Sequence, residues 1–201
     1  PMCLKKLFNK MKNKILIAIL ILFVAVVLWF IFTTNYPIAF VNLKPISAID
    51  FNKNYASSLV YYKNALETYN NKDAKALEAD EIKKEIKRAL LENMIENILI
   101  DRQLKKEIKS SDLEKLIIKK IEEVINGQNI QEAVEKLYGF SFNDFKKRIL
   151  IPQAKKEIFE SRIFLSGENF EEKLKDIKSK AQIMIFLPGF EWGEKGVIIK
   201  E

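Results

Sequence analysis

Val41-Asn42-Leu43-Lys44-Pro45-Ile46-Ser47-Ala48-Ile49-Asp50-Phe51 joins a short β-type run to the start of a helix, and the rest of the chain is organised around that junction. Residues 38–42 (Ile-Ala-Phe-Val-Asn) have the β-branched and aromatic content of a strand, and Leu43-Lys44-Pro45-Ile46 reads as a turn. Ser47 is a helix cap with Asp50 three positions on. Phe51, Tyr55, Leu59, Tyr62 and Leu66 follow at steps of three and four, predicting an amphipathic helix over 48–69. A strand this short needs a partner. The matching segment lies at the far end of the chain: Gln182 to Leu187 (Gln-Ile-Met-Ile-Phe-Leu), stopped by Pro188-Gly189. Pairing the two would join the ends of the domain.

Between these ends the pattern is helical. A second helix is expected from about Ala79 to Glu107, with Ile82, Ile86, Ala89, Leu90, Met94, Ile98 and Leu99 as its main stripe and Ile95, Ile100 and Leu104 widening it. Ser111-Asp112-Leu113-Glu114 has the form of a capping box for a third helix, which ends at Asn126-Gly127. A short fourth helix over 130–137 closes at Gly139. Ser141 with Asp144 caps a fifth over 142–164, in which Pro152 should introduce a bend. Asn169 starts a last helix, Phe170 to about Ser179. The remainder, 188–201, carries no decisive signal.

Composition removes most chemistry. Among 201 residues there is no histidine and a single cysteine, Cys3, so imidazole acid/base catalysis, histidine-activated nucleophiles, CxxC redox motifs and Cys/His zinc sites have no residues to use. The paired acids Glu122-Glu123 and Glu171-Glu172, and the cluster Glu78, Asp80, Glu81, read as helix surface and helix-start charges. Six scattered glycines form no phosphate loop. No catalytic residue, metal site, cofactor or small-molecule substrate is expected.

The N-terminal region is different in kind. Eighteen residues from Ile15 to Phe32, including Phe23 and Trp29, carry no charge, which is long enough for a helix to cross a bilayer core. Lys5, Lys6, Lys10, Lys12 and Lys14 precede this run without any acid and hold most of the net charge of +7. By the positive-inside rule, the expectation is an uncleaved, single-pass signal anchor. Residues 1–14 would form a basic cytoplasmic tail, 15–34 the transmembrane segment and 35–201 an extracytoplasmic domain of a bacterial envelope protein. With those lysines assigned to lipid headgroups, the remaining charges are near balance, and nucleic acid is not an expected partner despite a pI near 9.3.

The junction quoted above resembles the strand, turn and first-helix signature of the SurA-type N-terminal chaperone domain, which also occurs in membrane-anchored folding factors of the PpiD and PrsA type and is related to the trigger-factor chaperone arm. Residues 90–107 look like the family's second helix and Ser111-Asp112-Leu113-Glu114 like the start of its third. Tyr138-Gly139-Phe140-Ser141-Phe142-Asn143-Asp144-Phe145, followed by Pro152, is similar to the family's last core helix. The resemblance covers about residues 38–164. Leu43 stands where the family places a turn glycine, and a leucine disfavours positive φ. The parvulin isomerase domain common in this family would need more than residues 165–201, and its histidines are missing.

The fold class expected is therefore mostly α: a transmembrane helix, then a helical domain with one short strand pair joining its ends. The resemblance implies a membrane-anchored chaperone that binds apolar segments of unfolded, newly exported polypeptides without catalysis. The bilayer and the translocon are its further candidate partners. Client-binding candidates are Met94, Tyr138, Phe140, Phe142, Phe145 and Phe159. Two alternatives are an adapter for one dedicated envelope partner and a degenerate prolyl isomerase relative.

Overall fold

The computed structural model describes residues 16, 17, 19–26, 36–68, 77–127 and 129–200, and Pro37–Glu201 forms one structural unit. β1 (Pro37–Val41) lies at the centre of a three-stranded antiparallel sheet, flanked by β2 (Lys44–Ser47) and by β3 (Ile183–Ile185). Ala39 faces Ile185 and Val41 faces Ile183 across the β1–β3 register, so the ends of the unit are joined as their side-chain pattern suggests. The segment 43–46, expected as a turn, is mostly the strand β2. Only Asn42 and Leu43 turn the chain, both left-handed with φ of 48° and 70°, giving the two-residue loop whose twist suits an antiparallel hairpin. Pro45 is tolerated because β2 is an edge strand.

Among the described residues seven α-helices follow β2, with the last strands near the C-terminal end. They are α1 (Ala48–Thr68), α2 (Asp80–Glu107), α3 (Ser110–Ile125), α4 (Gln131–Tyr138), α5 (Phe142–Phe145), α6 (Ile151–Leu165) and α7 (Phe170–Ser179). Three caps form as their residue types dictate. The Asp50 amide donates to Ser47 Oγ (3.1 Å), the Asp144 amide to Ser141 Oγ (3.2 Å) and the Glu172 amide to Asn169 Oδ1 (3.1 Å). The expected capping box at Ser111 does not form. α3 starts one residue earlier, at Ser110, and its side chains make no cap hydrogen bond. Near Pro152 the helical run is not broken. Lys146–Leu150 winds as a π-helical turn, with the Ile151 amide donating to the Lys146 carbonyl, and this widened turn absorbs the proline at the start of α6.

The tail is ordered. β4 (Phe190–Gly193) and β5 (Gly196–Ile199) form a second hairpin whose Phe190 and Val197 are buried with Leu91 and Ile95 of α2. Gly196 has φ of 141°, and a Cβ there would overlap the Glu92 carboxylate, so the turn requires glycine. α2 is the spine of the unit. Leu91, Ile95 and Leu99 pack under the sheet, while Ile100 and Leu104 pack with Phe159 and Ile163 of α6 and Leu174 of α7. A third apolar cluster joins Ile121 of α3, Val134 of α4, Phe145 and Leu150. The core face of α2 is therefore rotated from the stripe expected on it, since Ile82 is exposed and Leu90, Met94 and Ile98 are half-buried.

The expected transmembrane helix is overturned, and with it the single-pass topology, the cytoplasmic N-terminus and the location in a bacterial cytoplasmic membrane. No helix among the described residues is long and apolar enough to cross a membrane. Residues 16, 17 and 19–26 of that run are described, as helix. Phe23 lies in that stretch and is exposed. Ile15, Trp29 and Phe32 of the expected span, and the topology-setting Lys5, Lys6, Lys10, Lys12 and Lys14, lie outside the described residues.

Candidate functional site

α1 approaches α4 through polar side chains beside an aromatic stack, and the polar part leaves their interface partly open. Ser57 Oγ donates to the Tyr138 carbonyl (2.6 Å), and Asn64 Nδ2 donates to the Lys136 carbonyl (2.6 Å). These bonds use carbonyls at the end of α4 that have no partner within the helix. Beside them opens a cleft of about 130 Å³. α1 lines it with Asn54, Ser58, Tyr61 and Tyr62, α2 with Leu90, Asn93, Met94 and Asn97, the end of α4 with Tyr138, and the segment beyond it with Phe140 and Arg148. A cavity of about 150 Å³ accommodates benzene, so this one is sized for a single aromatic or aliphatic side chain.

The walls are aromatic and half-open. Tyr61 stacks on Tyr138 with centroids 5.0 Å apart and planes 13° apart, Tyr62 meets Tyr61 edge-on at 5.8 Å, and Phe145 backs Tyr138 at 5.0 Å. Contacts of this kind add about 0.5–1.5 kcal/mol each beyond area burial. Tyr62 keeps 45% of its surface exposed and Tyr61 39%. Burial raises the Tyr138 hydroxyl above its ordinary range, with Tyr61 adding to the rise, so it remains a protonated donor at neutral pH. Ser57, Tyr138 and Phe140 also line a second cavity, of about 280 Å³, on the side of Val60, Lys53 and Asp144. They form the partition between the two spaces.

Arg148 holds this arrangement. Its side chain is only 8% exposed and donates to Asp50 Oδ1 (3.0 Å), Asp144 Oδ1 (3.3 Å) and Asn54 Oδ1 (3.2 Å), with its guanidinium 6.0 Å from the Phe140 ring centroid. One cation thus ties α1 to α5 across the floor of the cleft. Burial pushes the Asp50 carboxyl up, but the hydrogen bonds from Ser47 and Arg148 outweigh it and leave the group below its ordinary range. Away from the cleft a buried acid plays the matching part. Asp101 of α2 accepts from Lys105 (2.8 Å) and from Lys155 of α6 (2.5 Å), with Lys44 of β2 3.6 Å away. Burial raises this carboxyl too, and the hydrogen bonds from Lys105 and Lys155 more than offset it, so its pKa is also lowered.

Of the six client-binding candidates, Met94, Tyr138 and Phe140 meet in the cleft. Phe145 stands behind Tyr138, Phe142 is half-buried and lines neither cavity, and Phe159 is fully buried in the α2–α6 core. Sequence reasoning missed Arg148, Asn93 and Asn97, and Tyr61. The available signals were the four-residue spacing of Asp144 to Arg148 and of Asn93 to Asn97, which put each pair on one helix face. Among the described residues no group of acids and cysteine is placed to hold a metal ion.

The unit is helical, clasped by a small sheet, and carries an open cleft of side-chain size. The family model described as SurA-like N-terminal domain matches residues 4–123, and the chain belongs to that family. Domains of this kind are non-catalytic, chaperone-type modules of folding factors. The match ends within α3, so Tyr138, Phe140 and Arg148 lie beyond it. No curated protein and no solved structure matches the chain.

Proposed function

We propose that the chain is a holding chaperone that binds apolar segments of unfolded polypeptides in the cleft between α1, α2 and the Tyr138–Arg148 segment, without catalysing a reaction. The observation that carries this reading is the gathering of Tyr61, Tyr62, Met94 and Tyr138, all left partly open, around a cavity of one side chain's volume. Aromatic rings and a flexible thioether accept many side-chain shapes, so burial gives affinity with little sequence preference. Asn54, Asn93 and Asn97 at the same cleft supply amides that both donate and accept, as an extended client backbone requires.

The test is aggregation of several unrelated model clients, followed by light scattering with the full chain added. Suppression at near-stoichiometric ratios for most clients is expected. A folded chain that suppresses none of them contradicts the reading, and suppression confined to a single client would favour a dedicated-partner adapter instead.

A further inference from the structure

A third cleft, sharing no residue with the aromatic one, runs between the C-terminal half of α2 and α7 and encloses about 360 Å³. Its chemistry is the opposite. Arg102 and Lys106 project from consecutive turns of α2, Lys173 from α7 and Lys180 from the residue that caps its C-terminal end, against a single lining acid, Asp176. The described ion pairs engage Lys180 with Asp176 (2.7 Å) and Lys173 with Glu168 (2.7 Å), but use neither Arg102 nor Lys106, both of which are exposed. The cleft thus holds two cations with no acid paired to them among the described residues. We propose that it binds an acidic segment of polypeptide.

The dimensions favour a chain over a lone anion. Lys173 and Lys180 are seven residues apart on one helix face, about 10 Å along the axis, which is the length of three extended residues. Leu99 and Ile177 form an apolar floor between the charges, suited to the methylene stems of glutamates rather than to a bare phosphate. No aromatic side chain lines the cleft, so the stacking platforms that single-stranded nucleic acid uses are missing from it. Carboxylates on alternate positions of an extended segment would meet Arg102 and Lys106 on one side. Guanidinium–carboxylate pairing there gains from bidentate geometry.

The experiment is fluorescence anisotropy with the full chain and a labelled octapeptide of alternating glutamate and alanine at low salt. A glutamine-for-glutamate peptide, inorganic phosphate as competitor and a labelled octathymidylate serve as comparisons. The expected result is saturable binding of the acidic peptide, at least about tenfold weaker for the glutamine peptide and weakened by added salt. Phosphate displaces it only at concentrations far above those of unlabelled peptide. R102Q/K106Q abolishes the binding with an unchanged thermal transition, and Lys106→Glu alone weakens it, which covers the case of a double variant that fails to fold. Y61S/Y62S, which alters the aromatic cleft, leaves it intact. Absence of binding, equal binding of the glutamine peptide, undiminished binding by the Arg102 and Lys106 variants, or tighter binding of the oligonucleotide would each overturn the proposal.

Discussion

Two aromatic groupings in this unit have opposite fates. Phe159 and Phe170 meet edge-on at 6.0 Å, and Phe159 is covered on all sides by α2, α3, α6 and α7. Tyr61, Tyr62 and Tyr138 pack as closely to one another, yet Tyr61 and Tyr62 remain largely exposed. Ring chemistry does not make the difference. Leu104, Leu113, Ile163 and Leu174 converge on Phe159 from four helices, whereas beyond the Tyr61–Tyr138 stack α1 meets α4 through Ser57 and Asn64, so the outer faces of its tyrosines stay uncovered. Each region is also secured by one buried charge, Asp101 behind the closed core and Arg148 beneath the open cleft. The aromatic surface stays open here because its fourth wall is missing.

The comparison can be broken most directly at its two ends. Phe159→Ala should cost about 3–5 kcal/mol by leaving a buried cavity, whereas Tyr62→Ala should stay within about 1 kcal/mol because its ring is already half in water. Chemical denaturation of both variants checks this, and similar losses would mean that the cleft is part of the core. Arg148→Met comes next. Removing the shared partner of Asp50, Asp144 and Asn54 should cost about 2–3 kcal/mol and loosen the Tyr138–Phe145 segment, seen as faster amide exchange there than around Phe159.

Acid should act through the charges that secure both regions. Asp101 and Asp50 have folded pKa values below the ordinary 3.8. Their contribution is fully present above that ordinary value and is lost as pH falls below it through the lowered folded values. Thermal melts are therefore expected to fall steeply below about pH 4. Asp101→Asn should lower stability at neutral pH by about 2 kcal/mol and flatten that acid limb. An unchanged limb would show that the carboxylate is not held as the structure places it. The smallest effect is at the hairpin. Leu43→Gly relieves a leucine at φ of 70°, and the gain of about 1 kcal/mol is partly cancelled by chain entropy, so a rise in Tm of only a few degrees is expected.

Much of the frame was legible because it rests on local chemistry. The β1–β3 pairing followed from two apolar runs at opposite ends, and Ser47, Ser141 and Asn169 cap where short polar side chains precede apolar periodicity. β2 was hidden because Lys44-Pro45 looks like a turn, and Leu43 carries no turn signal although it adopts the turn conformation. The tail hairpin could have been read from Gly193 and Gly196 bracketing two charged residues. The cleft was only half legible. Met94, Tyr138 and Phe140 stand out by residue type, but the phase of α2 that turns Asn93 and Asn97 toward them depends on what packs on its other face. The uncharged length of 15–32 argued for a span that no described helix provides.

The most direct test of the open-cleft account is the affinity of a fluorescent, permanently unfolded model client for the full chain and for Y61S/Y62S. The account predicts binding that the double substitution weakens by about tenfold or more, since it removes two half-exposed rings worth at least roughly 1.4 kcal/mol together, while the protein keeps a cooperative thermal transition lowered only by the loss of those ring contacts. Equal affinity of the two proteins for the client would contradict it.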